Sequence, residues 1–467
     1  MGLLVRLVRA LWIFGVVLAS YLIQLALGRW LRRRKLDEAG RETFELPAWV
    51  KARKKAVDRK NAKRVLRSML RLRGVYIKLG QVLSIMGGFL PRAYADELSV
   101  LQDQVPPQPY SVLAHAFRKS LGKDPEEVFD RIDREPLAAA SLGQVHAAWL
   151  PGGRKVAVKF LYPGIRGVIR TDMKVIRLAV MVYSFFVPVE NIEVVHDALV
   201  DLLKRETDYL HEARCMARMA KNFEGQKDIA FPSVVEELTT GEVLTMSFMD
   251  GVKINDFEAM EAQGIDRKRV AKRLTQSFYE SLFVHRFFHA DPHPGNFLVD
   301  QASDGTPVLV VLDFGAISEV DPIMVEGMVD VLQGFFEQTD ALVLQGFERI
   351  GFVAERGNRE LVEKTVLTYF RKLLKVEDRT AGAIMRARTS ELGSLVDPEV
   401  ERRSLRELMR SIRYPDGWFY VERASVLAFW LIGQVDPDLD TLKVGFPYIM
   451  PLLMKRTQER AAKAAGT

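Results

Sequence analysis

The run His289-Ala290-Asp291-Pro292-His293-Pro294-Gly295-Asn296 sets a carboxylate five residues ahead of an amide. The run Val310-Val311-Leu312-Asp313-Phe314-Gly315 sets a second carboxylate at the end of an apolar stretch, beside a glycine. Phosphoryl transfer needs these parts: one Asp orients the nucleophile, while an Asn and a second Asp hold Mg²⁺ against the phosphates. An HxDxxxxN match alone is a weak signal. A DFG 17 residues after the Asn, directly after a strand-like run, makes it a strong one. On this reading Asp291 orients an acceptor, and Asn296 and Asp313 are the metal ligands.

A nucleotide site also needs a phosphate-binding loop and a lysine. The protein-kinase loop reads GxGxxGxV, with a VAIK lysine some residues on. Here the same frame reads AxAxxGxV: Ala138, Ala140, Gly143 and Val145, with Ala139 and Ser141 between them and Lys159 following 14 residues after Val145. Alanines restrict backbone approach and φ where glycine would not, so nucleotide handling should differ from that of an ordinary kinase. Pro151-Gly152-Gly153 predicts a hairpin turn, and VAVKF a strand that ends near Lys159. Taken alone, that lysine also reads as an edge-strand surface residue.

The apolar spacing over 193–222 predicts one long helix, with Glu206 on its apolar stripe. A carboxylate there is costly unless a cation meets it. Asp208 and Glu212 share another face, and two readings stand: a solvated face beside Lys204 and Arg205, or Glu212 as the partner of Lys159. Residues 36–60 read as a polar connector, and a helix then follows to Met86, stopped by Gly87-Gly88 and Pro91. Lys78 and Gln81 share one face of it, which by itself suits solvent as well as function. Residues 231–250 predict two strands joined at Thr239-Thr240-Gly241.

The chain carries a formal net charge of +7 over 467 residues, unevenly spread. Residues 29–73 hold 17 Lys/Arg against 5 Asp/Glu. Such a local basic segment suits anionic lipid headgroups and argues against a general nucleic-acid-binding protein. Just before it, residues 10–28 hold no charge, and a helix of that length reaches about 28 Å, close to the hydrocarbon thickness. Trp12 and Trp30 bracket it, and Arg29 and Arg32 to Lys35 follow, which predicts a membrane anchor with the bulk on the cytoplasmic side of the inner membrane. Ser20 and Gln24 weaken the span and keep open a helix lying in the interface. The single cysteine, Cys215, excludes an intrachain disulfide framework and reads as a packed small hydrophobe.

Lys78-Leu79-Gly80-Gln81, the alanine loop before Ser141, VAVK, Glu206-x-Asp208, HADPHPGN and DFG together resemble the UbiB (AarF) family of atypical kinases, over about residues 60–320. The resemblance implies an α+β, protein-kinase-like two-lobed fold: a small mixed N-lobe sheet, a helical C-lobe and an N-terminal helical KxGQ extension over the site. It implies that Lys78 points towards Glu206 and Asp208. It also implies an ATPase or kinase-like factor, using ATP and Mg²⁺, that supports ubiquinone or other isoprenoid-lipid metabolism at membranes. Partners would then be anionic lipids, an isoprenoid or quinone lipid, or the enzymes that make it. No HRD arginine and no APE motif are present, which sets the chain apart from regulated protein kinases.

The expected organisation is an anchor helix and basic collar over 1–35, a helical extension over 36–135, an N-lobe over 136–250 and a C-lobe over 251–467. Lys159 held by Glu212 would position phosphates, and Lys78, Gln81, Glu206 and Asp208 would restrict the site. Two other functions fit parts of the pattern. HADPHPGN also resembles the catalytic loop of aminoglycoside and choline phosphotransferases, although those lack a KxGQ extension. The alanine loop and the occluding extension also suit a nucleotide-gated scaffold without chemistry.

Overall fold

The computed structural model describes residues 3–31, 33–36, 42–85, 92–98, 101, 107–186, 192–354, 357–374, 380 and 411–465. The expected helix stop at Gly87-Gly88 and Pro91, and the side chain of Gln81, lie outside them. The chain opens with α1 (Leu3–Trp30), the strand pair β1 (Arg33–Leu36) and β2 (Glu42–Glu45), α2 (Ala48–Leu72), α3 (Val75–Ile85) and α4 (Arg92–Leu98). Helices α5 (Tyr110–Leu121) and α6 (Pro125–Val128) lead into β3 (Arg131–Ile132), β4 (Ala138–Ala139), β5 (Gly143–Trp149) and β6 (Lys155–Leu161). Next come α7 (Ile165–Phe186), α8 (Ile192–Glu206), α9 (Tyr209–Asn222), β7 (Ile229–Ala230), β8 (Val243–Ser247) and β9 (Val252–Lys253). Helices α10 (Phe257–Ala262) and α11 (Arg267–Tyr279) precede β10 (Phe287–His289), β11 (Phe297–Gln301), β12 (Pro307–Val311) and β13 (Ile317–Glu319). The last helices are α12 (Pro322–Glu337), α13 (Asp340–Ile350), α14 (Arg359–Leu374), α15 (Trp418–Val435) and α16 (Thr441–Ala465).

By contacts the chain divides into two units. One comprises Met1–Pro109, Ala138–Gln144 and Leu161–Val182, and the other Tyr110–Leu137, Val145–Phe160 and Tyr183–Thr467.

In the first unit α2 runs antiparallel beside α1, and the stretch read as a polar connector is helical from Ala48 on. Its lysines and arginines are strong helix formers, and their density hid the apolar stripe of Val50, Ala62, Met69 and Leu72. Polar side chains of α1 make the contact. Gln24 Nε2 donates to Val50 O at 3.1 Å, Tyr21 Oη to Asp58 Oδ1 at 2.8 Å, and Asn61 Nδ2 to Ser20 Oγ at 2.6 Å. At the other end Arg6 Nε donates to Asp172 Oδ1 of α7 at 2.8 Å, and the same guanidinium reaches Leu72 O and Arg73 O. Those are orphan carbonyls at the end of α2, so Arg6 caps that helix while burying an ion pair. The helix expected to continue to Met86 breaks there, because Arg73 (φ 56°) and Gly74 (φ 59°) both leave helical space. Helix α3 restarts at Val75 and buries Lys78. Gly80, between Lys78 and Gln81, has no room for a Cβ: one would meet the Leu101 side chain and lie 2.8 Å from Met69 Sδ.

In the second unit a sheet of order β3-β5-β6-β8 carries Lys159, which pairs in register with Leu244. The β5–β6 turn uses Gly152 and Gly153 at φ 92° and 82°, as the Pro-Gly-Gly signal predicts. Only one of the two strands expected over 231–250 forms, as β8. Pro232 has no N–H to give a ladder, and the first segment makes a single bridge, Val234 to Met246, before a 3₁₀ turn at Glu236–Leu238. The expected helix over 193–222 is two helices. Asp208 accepts from Leu210 N and His211 N at 3.1 and 3.2 Å and so starts α9 as its N-cap.

Candidate active site

Two short antiparallel ladders bring the motif loops together. His289 at the end of β10 pairs with Ile317 at the start of β13, and Phe297 at the start of β11 pairs with Val311 at the end of β12. The segments between, 290–296 and 312–316, are therefore clamped side by side. Ala290 N donates to Ala316 O at 2.9 Å, and Leu312 N to Asn296 O at 3.0 Å. Asn296 Nδ2 donates back to Asp291 O at 3.0 Å, which fixes the turn between acceptor carboxylate and amide. Asp313 Oδ1 accepts from Gly315 N at 3.0 Å, which turns its other oxygen to the sheet.

That other oxygen meets Lys159. Lys159 Nζ lies 2.8 Å from Asp313 Oδ2 and 2.7 Å from Glu212 Oε1. Glu212 is fully buried in the first turn of α9, and its Oε1 also faces Phe314 N at 3.4 Å. Burial opposes charge on the Lys159 ammonium, but Asp313 and Glu212 outweigh it and hold the lysine protonated. Burial alone would raise the Asp313 carboxyl as well; the ammonium overrides this and keeps it well below the usual range. Glu212, more deeply enclosed, is pushed up by burial to about 7 despite the lysine. His289 is driven down to about 4, first by burial, and its neutral Nδ1 accepts from Asp291 N at 3.2 Å.

The structure thus brings together Lys159, Glu212, Asp313, Asn296 and Asp291. Glu206 packs beside the DFG glycine: a Cβ on Gly315 would stand 3.5 Å from its Cγ. Asp208 spends its carboxylate on capping α9. Lys78 and the alanine loop fold in the other unit, where Ala138 and Ala139 form β4 and Ala140 N donates to Gly143 O at 2.8 Å across the turn holding Ser141. Val145 continues β5.

Sequence reasoning missed one residue. Arg423 of α15 puts Nη2 2.6 Å from Asp291 Oδ1, with side chains only 3% and 9% exposed. The signal was available: Glu422 and Arg423 are the only charges in 18 residues of α15, and Arg423 sits on the buried stripe with Phe419, Tyr420 and Leu427.

Among the described residues no three His, Cys, Asp or Glu side chains gather as a metal cage. Mg²⁺ in phosphoryl transfer needs no cage: one or two carboxylates and substrate phosphates suffice. The hard oxygens of Asp313, 32% exposed, and Asn296 fit that donor set.

Cys215 lies on α9 with Sγ 3.4 Å from His211 Nε2. Burial first, then Glu212, pushes its thiol up to about 11. At neutral pH its thiolate fraction should be about 100-fold below that of an ordinary cysteine. Reaction of the native protein with a thiol-disulfide reagent should slow by at least that factor and recover in denaturant. Rapid native labelling would contradict the packed-hydrophobe role.

A protein-family model described as the ABC1 atypical kinase-like domain matches residues 100–346, more than half of the chain. The chain is 32% identical over 459 residues to Protein ACTIVITY OF BC1 COMPLEX KINASE 8, chloroplastic, of Arabidopsis thaliana, covering 94% of this chain and 59% of that protein. It is also 32% identical over 338 residues to the "Probable protein kinase UbiB" of Pseudomonas paraeruginosa, covering 69% of this chain and 63% of the relative. Among solved structures it resembles Rv3197 of Mycobacterium tuberculosis, solved in complex with erythromycin, at 25% identity and TM-score 0.52, over 84% of this chain and 97% of that one. The resemblance read from the motifs is borne out, and so is the kinase-like α+β fold with an apolar N-terminal helix. The chain belongs to the ABC1 (AarF/UbiB) atypical kinase-like family.

Proposed function

We propose that this protein is a membrane-surface kinase-like ATPase or small-molecule kinase that binds Mg-ATP and supports isoprenoid-quinone lipid metabolism. The observation that carries the reading is the single cluster of Lys159, Glu212, Asp313, Asn296 and Asp291, assembled from β6, α9 and the two loops 290–296 and 312–316. Lys159, fixed by Glu212, is the cation for the α/β-phosphates. Asp313 and Asn296 would hold Mg²⁺, which supplies charge neutralisation on the transferring group when bound. Asp291 orients a hydroxyl or water and takes its proton. The lipid side of the reading rests on the resemblance to UbiB proteins.

The packing of α1 favours a helix lying in the membrane interface over the span first expected. By length and composition Leu4–Trp30 could cross a bilayer. But α2 accompanies it from Gln24–Val50 to Arg6–Leu72, and α2 carries exposed Lys51, Lys54, Lys55, Arg59, Lys60 and Lys63. Each such charge costs about 2.5–3.5 kcal/mol at the bilayer centre. Meanwhile Trp12, Ile23 and Trp30 of α1 are 73%, 52% and 81% exposed, which suits burial among headgroups.

The test is ADP release by the full chain on vesicles containing anionic lipid and a quinone. We expect Mg-dependent turnover that rises on those vesicles, with the protein removed by alkaline carbonate wash. No turnover with Mg-ATP on any vesicle would overturn the ATPase reading. Retention through the carbonate wash would restore the span.

A further inference from the structure

Arg423 is the cation beside the proposed acceptor carboxylate, and it comes from α15, beyond the segment that the family model matches. Its pairing with Asp291 leaves most of its capacity unused. Nε and Nη1 are buried and find no hydrogen-bond partner among the described residues, and Nη2 meets Asp291 at ion-pair distance without hydrogen-bond geometry. A guanidinium offers five N–H donors in a fixed fork, and each one buried without an acceptor is costly. One more carboxylate side chain could satisfy two of them, but would add a second buried anion beside Asp291. A phosphoryl group, with three acceptor oxygens, matches the fork and satisfies several together. The other buried cation of the cluster, Lys159, is already shared between Glu212 and Asp313.

We propose that Arg423 is an arginine finger built into the chain, which meets the γ-phosphoryl oxygens of ATP as that group moves to an acceptor held by Asp291. This rests on the Mg-ATP reading above. In the step, the acceptor oxygen bonds to the γ-phosphorus while the bond from that phosphorus to the β,γ-bridging oxygen breaks. ADP leaves with the electron pair, and the acceptor proton passes to Asp291 and then to solvent. Arg423 gives up no proton; its fixed charge offsets the charge spread over the equatorial oxygens, an effect of about 10³–10⁵ in turnover where such fingers act.

The test compares two ligands by calorimetry: Mg-ATP, and Mg-ADP with aluminium fluoride, which mimics the phosphoryl group in transfer. Arg423→Met should hold Mg-ATP within about threefold of wild type and lose about 10³-fold for the fluoride complex, and millimolar guanidinium should restore part of its turnover. Arg423→Lys, a point charge without the fork, should fall between. If Arg423→Met alone does not fold, Asp291→Asn/Arg423→Met, which buries no unpaired charge, is compared with Asp291→Asn for the same selective loss. Equal losses for both ligands, or none, would mean a structural ion pair and overturn the finger alone. A wild type that binds no Mg-ATP instead sinks the nucleotide reading beneath it.

Discussion

Lys159→Met is expected to cost the folded protein about 3–5 kcal/mol, because it leaves the fully buried Glu212 carboxylate facing the partly exposed Asp313 carboxylate across the space of the lost ammonium. Glu212 is fully enclosed, and its second oxygen Oε2 already lacks a hydrogen-bond partner. The cost should depend on pH in a defined direction. Burial raises the Glu212 carboxyl to about 7 even with the lysine present, and removing the lysine can only raise it further. A carboxyl with a raised folded-state value holds its proton more tightly folded than unfolded. Stability therefore falls as pH rises from about 4.5 through about 7 and above. Urea unfolding should show a smaller loss near pH 6 than near pH 8, and the added change Glu212→Gln should recover part of it by removing one of the facing charges. A loss below about 1 kcal/mol near pH 8 would show that the three-group cluster does not hold the site together.

Asp291→Asn is expected to lower ATP turnover by about 10²–10⁴ while leaving Mg-ATP affinity within about threefold. The asparagine keeps the shape and an oxygen for Arg423, but cannot take a proton. Its backbone role is untouched: Asn296 Nδ2 still finds the carbonyl of residue 291. Steady-state ADP release and calorimetry on the same preparation separate the two quantities. Turnover within tenfold of wild type would show that proton transfer to residue 291 is not needed. Rescue of quinone levels in a deletion strain by Asp291→Asn would carry the same message.

The chemistry of the site was legible because phosphoryl transfer dictates residue types at fixed intervals. Asp291, Asn296 and Asp313 were singled out as candidates from their spacing and from the apolar run before DFG. The ladders His289–Ile317 and Phe297–Val311 were not, although they explain why those intervals recur: the loops must fit between two strand pairs. Lys159 stood out as the lysine of the VAVK run, and Glu212 as its partner was one of two readings of a face it shares with Asp208. Arg423 is a charge on a mostly apolar helix, but no motif led to it. The two-helix structure of 192–222 was missed because the apolar stripe runs through the break, although Thr207-Asp208 is a fair N-cap signal. The partnership of α1 with α2 depends on contacts between residues far apart in sequence, such as Arg6 with Leu72, 66 residues on, and no local pattern encodes that. By hydropathy and length alone α1 could span a bilayer.

Every step proposed above depends on a Mg-ATP site built on Asp313 and Lys159. Calorimetric titration of ATP into the full chain, with and without Mg²⁺, tests it directly when repeated on Asp313→Asn. Binding by wild type should strengthen by at least tenfold with Mg²⁺, and no such strengthening should occur in Asp313→Asn. Equal Mg²⁺-dependence in both proteins, or no ATP binding by wild type, would contradict it.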